Sequence, residues 1–528
     1  MGDGLLRSHG FTTEGRLAGS IVFIFTAHHH KSPLGGIIHH LSGQSTARFQ
    51  RPVSRIEGRR DQAAASGRNR TEGRGVMASM GRSIALRLAE GLAMSQDRTD
   101  NPRTAAVRRT ALRLAGALLM GVVVWGCAGQ AAAVAVATSQ ATRAAGSTTE
   151  AAQAATAIDA FGFDYYRAVL TSGGNAVVSP ASVVLALSMA QAGARGETAS
   201  QMNAVLHAAA GAGGGNGLNS LDQSLTGLSG TFKDLGDTDR QVTLRIANAP
   251  FAQRDLTLEQ PFLDALASRY GAGLHLVDFK GDPSGSCSLI NSWVSDQTEA
   301  RIPRLLDSLD SATRLVLVNA VYLKAPWLEP FDQSGTKSAP FTRADATQVS
   351  VPTMSADMTE ARYASGTGWQ AVELPYVNPA LALTIVVPND LAAFEKTLDA
   401  SRFAQITGAL ESANVELTLP RFKIETKGDL AGTLAGMGMP LAFDADKADF
   451  SGITTQEPLY ISKVIHQANI SVDEKGTEAS AATAVVMRAG AMPTGPVTVH
   501  VDRPFIFALR DTTTGAVLFL GRVVDPSV

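Results

Sequence analysis

The chain has 528 residues, of which 45% are hydrophobic and 18% charged, and its formal net charge is −2. That is the composition of a folded protein with material for a large core, and the near-neutral balance excludes a nucleic-acid binder that works through a basic stripe. The two cysteines, Cys127 and Cys287, lie in unrelated surroundings, which excludes a disulfide framework and leaves packing as the source of stability.

Charge is uneven along the chain. Residues 1–113 carry 18 Lys and Arg against 8 Asp and Glu with little apolar periodicity. Residues 1–93 read as a disordered or untranslated leader, with Met77, Met80 and Met94 as alternative starts. His28, His29, His30, His39 and His40 have no Cys or acidic ligand at useful spacing, so no metal site is expected. Residues 94–127 read as an export signal. Arg108, Arg109 and Arg113 precede the apolar run Leu114 to Trp125, which is too short to span a bilayer but suits a signal-peptide core. Val124-Trp125-Gly126-Cys127 resembles a bacterial lipobox, which makes Cys127 a candidate for lipidation and for the mature N-terminus. Ordinary cleavage within the Ala-rich stretch 128–137 is the alternative. Either way the product is exported, anchored to the cell envelope or freely secreted. Residues 128–156 are nearly all Ala, Gly, Ser, Thr and Gln, a linker composition.

A folded domain is expected over 157–528. Ile158, Phe161, Tyr165 and Val169 recur at helical spacing. Asn175 to Ser179 reads as a short strand. Ser179 and Pro180 then suit the cap and first turn of a helix, apolar on all sides, that runs to about Ala192. Residues 208–218 read as a flexible Gly/Ala insertion. Strands are expected at Val242–Phe251 and Leu274–Asp278, and a helix at 288–301. The Val/Leu-rich run Arg314 to Lys324 suggests a central strand covered on both faces. Further strands are expected at Val372–Leu374, Leu381–Val387, Val415–Ile424, Lys463–Glu474, Val497–His500, Phe505–Arg510 and Val517–Val523. Helices early, strands late and no regular alternation indicate an α+β fold.

Several segments, in order, resemble the serpin family. They are Asn175-Ala-Val-Val-Ser-Pro-Ala-Ser182, Ile290-Asn-Ser-Trp-Val294, Asn319-Ala-Val-Tyr-Leu-Lys324 with Trp327 and Phe331, and Val351-Pro-Thr-Met354. Leu419-Pro-Arg-Phe422, Asp473-Glu-Lys-Gly-Thr-Glu-Ala479, Asp502-Arg-Pro-Phe-Ile-Phe507 and Phe519-Leu-Gly-Arg-Val-Val-Asp-Pro526 follow. The resemblance covers 157–528 and implies three β-sheets, eight or nine helices and an exposed reactive-centre loop. It implies a monomer that is not an enzyme. Such a protein inhibits serine, and alternatively cysteine, endopeptidases as a suicide substrate, with no cofactor. The protease cleaves the loop and is held as a covalent acyl-enzyme complex while the loop enters the main sheet as a new strand.

The loop's own residues suit that role. Gly476, Thr477, Glu478, Ala479, Ser480, Ala481, Ala482, Thr483 and Ala484 form a hinge of mostly small residues without proline. Side chains of a strand alternate between faces. Thr477, Ala479, Ala481 and Thr483 share one parity, while Glu478 and Arg488, the charges, share the other. From the resemblance, Glu474 pairs with Arg421 at the loop base, and Ser179, Ser182, Asn319 and His466 form the polar cluster that controls sheet opening. Counting from Glu474 places the cleaved bond at Gly490–Ala491, with Arg488 and Met492 as alternatives because the loop is long. Two other functions compete: a non-inhibitory serpin acting as a binding protein, and a serine hydrolase of β-lactamase type. The second rests on Ser334-Gly-Thr-Lys337, whose lysine must stand one helical turn from the serine.

Overall fold

The apolar run at 314–324 forms strand Leu315–Pro326, buried along its length except at Lys324. It occupies the middle of an eight-stranded sheet, where both faces of a strand are covered and alternation is lost. In the computed structural model, which describes residues 134–170, 173–207, 216–478 and 496–528, the strands of this main sheet are β1 (Ala135–Ala137), β2 (Gly230–Lys233), β3 (Asp239–Gln253), β4 (Leu274–Val277), β5 (Leu315–Pro326), β6 (Phe422–Asp429), β7 (Lys463–Asp473) and β8 (Gly476–Thr477). Their order is β1-β4-β3-β5-β8-β7-β6, with β2 paired to β3.

A seven-stranded sheet runs Glu411–Ser412, Arg362–Gly366, Trp369–Pro375, Leu381–Pro388, Phe505–Asp511, Val517–Val523, Ala176–Val178. A four-stranded sheet runs Val497–His500, Val415–Pro420, Gln348–Met358, Lys337–Thr342. Nine α-helices occur among the described residues: α1 Thr148–Val169, α2 Pro180–Gln191, α3 Gly196–Val205, α4 Asn216–Thr226, α5 Gln260–Ala265, α6 Pro283–Gln297, α7 Leu391–Glu395, α8 Ala400–Gly408 and α9 Ala431–Met437. Helix α2 is buried from Pro180 to Ala190 because it packs on β3 and β5 and also on Val517–Val523 of the second sheet. On the other face of the main sheet, Cys287, Ile290 and Val294 of α6 close a separate core with Phe251, Val316 and Val318.

Four expectations change. Within 128–156, β1 pairs with β4 and α1 already opens at Thr148, because an Ala/Thr composition serves an edge strand or a helix as readily as a linker. Asn216 to Leu218, read as part of a flexible insertion, are the first residues of α4. The single strand expected at 415–424 is two, in different sheets, split at Pro420 and Arg421; a proline has no N–H to carry a ladder onward. The helix expected at 288–301 instead spans Pro283–Gln297, started by Asp282, whose side chain accepts the Gly285 N–H. It ends where Glu299 and Ala300 turn to φ 51° and 60°.

Candidate functional site

Strands β5 and β7 run parallel, and their pairing extends from Val316 opposite Lys463 to Val321 opposite Ala468. At the upper end β8 lies between them: Gly476 and Thr477 pair with Pro326 and Ala325 on one side and with Asp473 and Val472 on the other. The turn from β7 into β8 is pinned by two backbone bonds, Trp327 N–H to the Lys475 carbonyl at 3.0 Å and Phe331 N–H to the Glu474 carbonyl at 2.9 Å. Gly476 has φ 143°, and a Cβ there would lie 2.1 Å from the Ala325 carbonyl oxygen. Only glycine fits so close an approach.

Thr477 is buried, and its Oγ1 lies 2.6 Å from the Tyr376 hydroxyl. The Tyr376 ring stacks on Trp327 with centroids 4.4 Å apart, and the Trp327 indole N–H donates to the Asp473 carbonyl at 2.9 Å. Thr477 therefore turns inward. Glu478 follows at φ 46°, donates its N–H to the Ser471 carbonyl at 3.0 Å, and brings its carboxylate to 3.6 Å from Arg301 just beyond α6. Burial raises the Glu478 pKa, against the pull of Arg301, Lys423 and Lys324.

The structure brings Glu474 and Arg421 together. Arg421 Nε donates to Glu474 Oε1 at 2.6 Å, and the Thr336 hydroxyl donates to the same oxygen. Glu474 is 4% exposed. Burial works to raise its pKa, but the bonds from Thr336 and Arg421 outweigh it and hold the group below its ordinary value.

It also brings together Ser179, Ser182, Asn319 and His466, all buried. His466 on β7 stands opposite Asn319 on β5. The Ser179 N–H donates to His466 Nε2 at 3.3 Å, so the ring proton sits on Nδ1 and is donated to Asn319 Oδ1. Asn319 Nδ2 donates to Ser182 Oγ at 2.6 Å and to Asn248 Oδ1 at 2.7 Å. Burial alone lowers the His466 pKa to about 3, which keeps the ring neutral. Ser179 precedes α2 but makes no side-chain cap there; its backbone N–H serves the histidine instead.

Sequence reasoning missed Asn248, which stands opposite Asn319 on β3 and completes a polar row across three strands. An asparagine inside the apolar run 242–251 was the available signal. Ala479, Ser480, Ala481, Ala482, Thr483, Ala484, Arg488, Gly490, Ala491, Met492 and Cys127 lie outside the described residues.

The hydrolase geometry is not formed. Ser334 sits in a short 3-10 turn, Gln333–Gly335, bonded to Asp332 Oδ2 at 2.7 Å, and Lys337 begins a strand rather than a helical turn. Burial pushes the Cys287 thiol pKa up, the wrong direction for a nucleophile.

Residues 156–526 match the family model described as Serpin (serine protease inhibitor). The chain belongs to the serpin family. An uncharacterised serpin-like protein of Thermococcus kodakarensis is 37% identical over 376 residues, covering 70% of this chain and 85% of that one. The leukocyte elastase inhibitor of Equus caballus is 35% identical over 389 residues, 71% and 100% of the two chains. Among solved structures, the native state of the thermophilic serpin tengpin aligns with TM-score 0.65 at 28% identity, over 74% of this chain and all of that one. Thyroxine-binding globulin in complex with thyroxine aligns with TM-score 0.61 at 28% identity, over 71% and 99%. The serpin fold accounts for the three sheets and for the slot at the top of the main one.

Proposed function

We propose that this serpin is an inhibitor of serine endopeptidases that works by loop cleavage, acyl-enzyme trapping and strand insertion. The observation that carries the reading is β8: two residues of the bait segment already sit as a strand between β5 and β7. Continued in extended form, the segment brings Ala479, Ala481 and Thr483 to the inward face after Thr477, and none is bulky or charged. Each added residue gains backbone partners, and a dozen bonds at about 0.5–1.5 kcal/mol net supply on the order of 10 kcal/mol. Insertion must first part the pairing of β5 and β7 and the His466–Asn319 bond that crosses it. The cleaved bond in this reading is Gly490–Ala491, with Arg488 and Met492 as the alternatives. Relatives named leukocyte elastase inhibitor support an inhibitory role.

We also propose that the chain is exported and held at the cell envelope through Cys127. Incubation with trypsin, chymotrypsin, elastase and subtilisin tests the inhibitory reading. An SDS-stable covalent complex with one of them, and a released C-terminal peptide whose mass names the bond, is the expected result. Loop cleavage by all four with no complex overturns it and favours a binding protein.

A further inference from the structure

The stretch that composition marks as a tether is partly built into the body. Ala135, Val136 and Ala137 pair antiparallel with Leu276, His275 and Leu274 of β4. Val136 Cγ1 and the Ala137 carbonyl would lie 2.6 and 2.8 Å from any Cβ at Gly273, so a glycine stands where the segment comes closest. Beyond the strand, Ser139 donates to Asp264 at 2.5 Å and the Ala144 N–H donates to the Ser268 carbonyl at 2.9 Å. Arg143 bonds Asn219 at 2.9 Å and Asp222 at 2.5 Å. The segment is thus fastened to β4, α4, α5 and the turn after α5.

The register shows at which end of the body it is fastened. His275 to Val277 lie beside Phe251 to Gln253, and Phe251 and Ala252 lie opposite Val316 and Leu315, at the start of β5. The bait segment enters at Ala325 and Pro326, the other end of that strand. Ten residues of strand separate the two, about 33 Å. Because β1 runs antiparallel to β4, its first residue, Ala135 opposite Leu276, lies at the end nearer the start of β5 and farther from Thr477.

We propose that β1 is a mount that orients this serpin on a lipid surface, with the start of β5 toward the bilayer and the bait loop outward. The proposal rests on the reading of Cys127 as the anchor. A free linker of the 29 residues 128–156 would reach roughly 100 Å and leave the body free to tumble. With β1 docked, the seven residues Ala128 to Val134 span at most about 25 Å. A body of this size has a radius of gyration of ~21 Å, so the leash is about as long as the body's own radius. A leash that short, fixed at one pole, holds the other pole off the membrane.

The test uses the full chain produced in a lipoprotein-processing bacterial host, recovered in membrane vesicles containing a headgroup-linked quencher. A fluorophore is placed by Ser311→Cys, near the start of β5, or by Ser334→Cys, near Glu474, each with Cys287→Ala. We expect the Ser311→Cys label to be quenched several-fold more than the Ser334→Cys label. A Gly/Ser insertion of about 20 residues after Ala128, which leaves the body untouched, removes the difference while the chain stays membrane-bound. Val136→Pro with Ala137→Pro, which undocks the strand, does the same. Equal quenching of the two labels in the membrane-bound parent chain overturns the mount. A chain recovered unlipidated in the medium overturns the anchor reading and the mount with it, and the mature N-terminal mass separates the two failures.

Discussion

His466 and Asn319 face each other across the parallel junction of β5 and β7, joined by a single side-chain hydrogen bond. That bond crosses the line along which, in the proposed mechanism, the sheet would part to admit a strand. The histidine is buried and neutral, with its pKa lowered to about 3 from an ordinary 6.5. A group depressed on folding binds more protons when unfolded, so its contribution is complete above pH 6.5 and is lost as pH falls toward 3. Measured against His466→Asn, we expect the parent's thermal midpoint to drop through that window, by the equivalent of a few kcal/mol at about 1.4 kcal/mol per pKa unit. His466→Asn flattens this part of the profile. A variant whose profile superimposes on the parent's would remove His466 from the account.

Asp159 on α1 titrates in the opposite sense. Burial raises its pKa from 3.8 to about 7, against the Val517 N–H and the charge of Arg510. A carboxyl raised on folding stabilises the protein fully below pH 3.8, and that stability is lost as pH rises through 7. Asp159→Asn keeps the acceptor for Val517 and abolishes the titration. Urea midpoints of the parent that fall relative to those of this variant as pH rises from 5 to 8 are the expected outcome.

At the loop base, Arg421→Ala leaves Glu474 buried beside Thr336 without its cation. A fully buried pair broken this way loses several kcal/mol, but the Arg421 side chain is 38% exposed, and solvent screening reduces the expected loss to about 1–2 kcal/mol. The cost should be concentrated above the ordinary glutamate pKa of 4.5, because the lowered folded-state value means the pair's contribution is lost as pH falls through it. Denaturant unfolding at pH 7 and at pH 3.5 checks both statements.

Thr477 supplies a test of insertion itself. It is 1% exposed and faces Tyr376, so Thr477→Arg must bury a charge to let the strand form, which is costly. The variant is expected to be cut at the same bond as the parent and at a comparable rate, with covalent complex reduced at least tenfold on denaturing gels. Complex formed at the parental yield would show that burial of this position is not needed for trapping.

Gly476→Ala addresses the other half of β8. A methyl group 2.1 Å from the Ala325 carbonyl, at φ 143°, has to displace backbone, so we expect β8 to leave the slot with a loss of about 1–3 kcal/mol. Hydrogen exchange at Ala325 and Val472, neighbours of β8 in the ladder, should rise in step.

Part of the seam was legible in the sequence through strand alternation. Val464, His466, Ala468, Ile470 and Val472 are all buried, but so are Ile465 and Gln467 between them, so burial alternates along β7 only from Ala468 onward, while Thr477 turns inward as its parity predicts. The Glu474–Arg421 contact was reachable only through family likeness, since 53 residues separate the two and neither carries a local signal. Asn248 was passed over because an amide in a strand is unremarkable until the strand beside it is known to carry Asn319. The division at Pro420 was marked by the proline itself, yet apolar residues on both sides hid the change of sheet. Nothing in Ala135-Val136-Ala137 distinguishes an edge strand from a spacer, since the partner that decides it lies more than a hundred residues later in β4.

The same strand bears on where the proposed capture would leave a protease. A bait segment that advances down the slot between β5 and β7 travels from Pro326 toward Leu315, the pole from which β1 departs. Under the proposed insertion and anchorage, cargo and anchor would therefore finish on one side of the molecule. A spent inhibitor on a short leash would carry its captive inward against the cell surface, out of reach of substrates in the surroundings, and would have to lean over or let β1 go to make room for it.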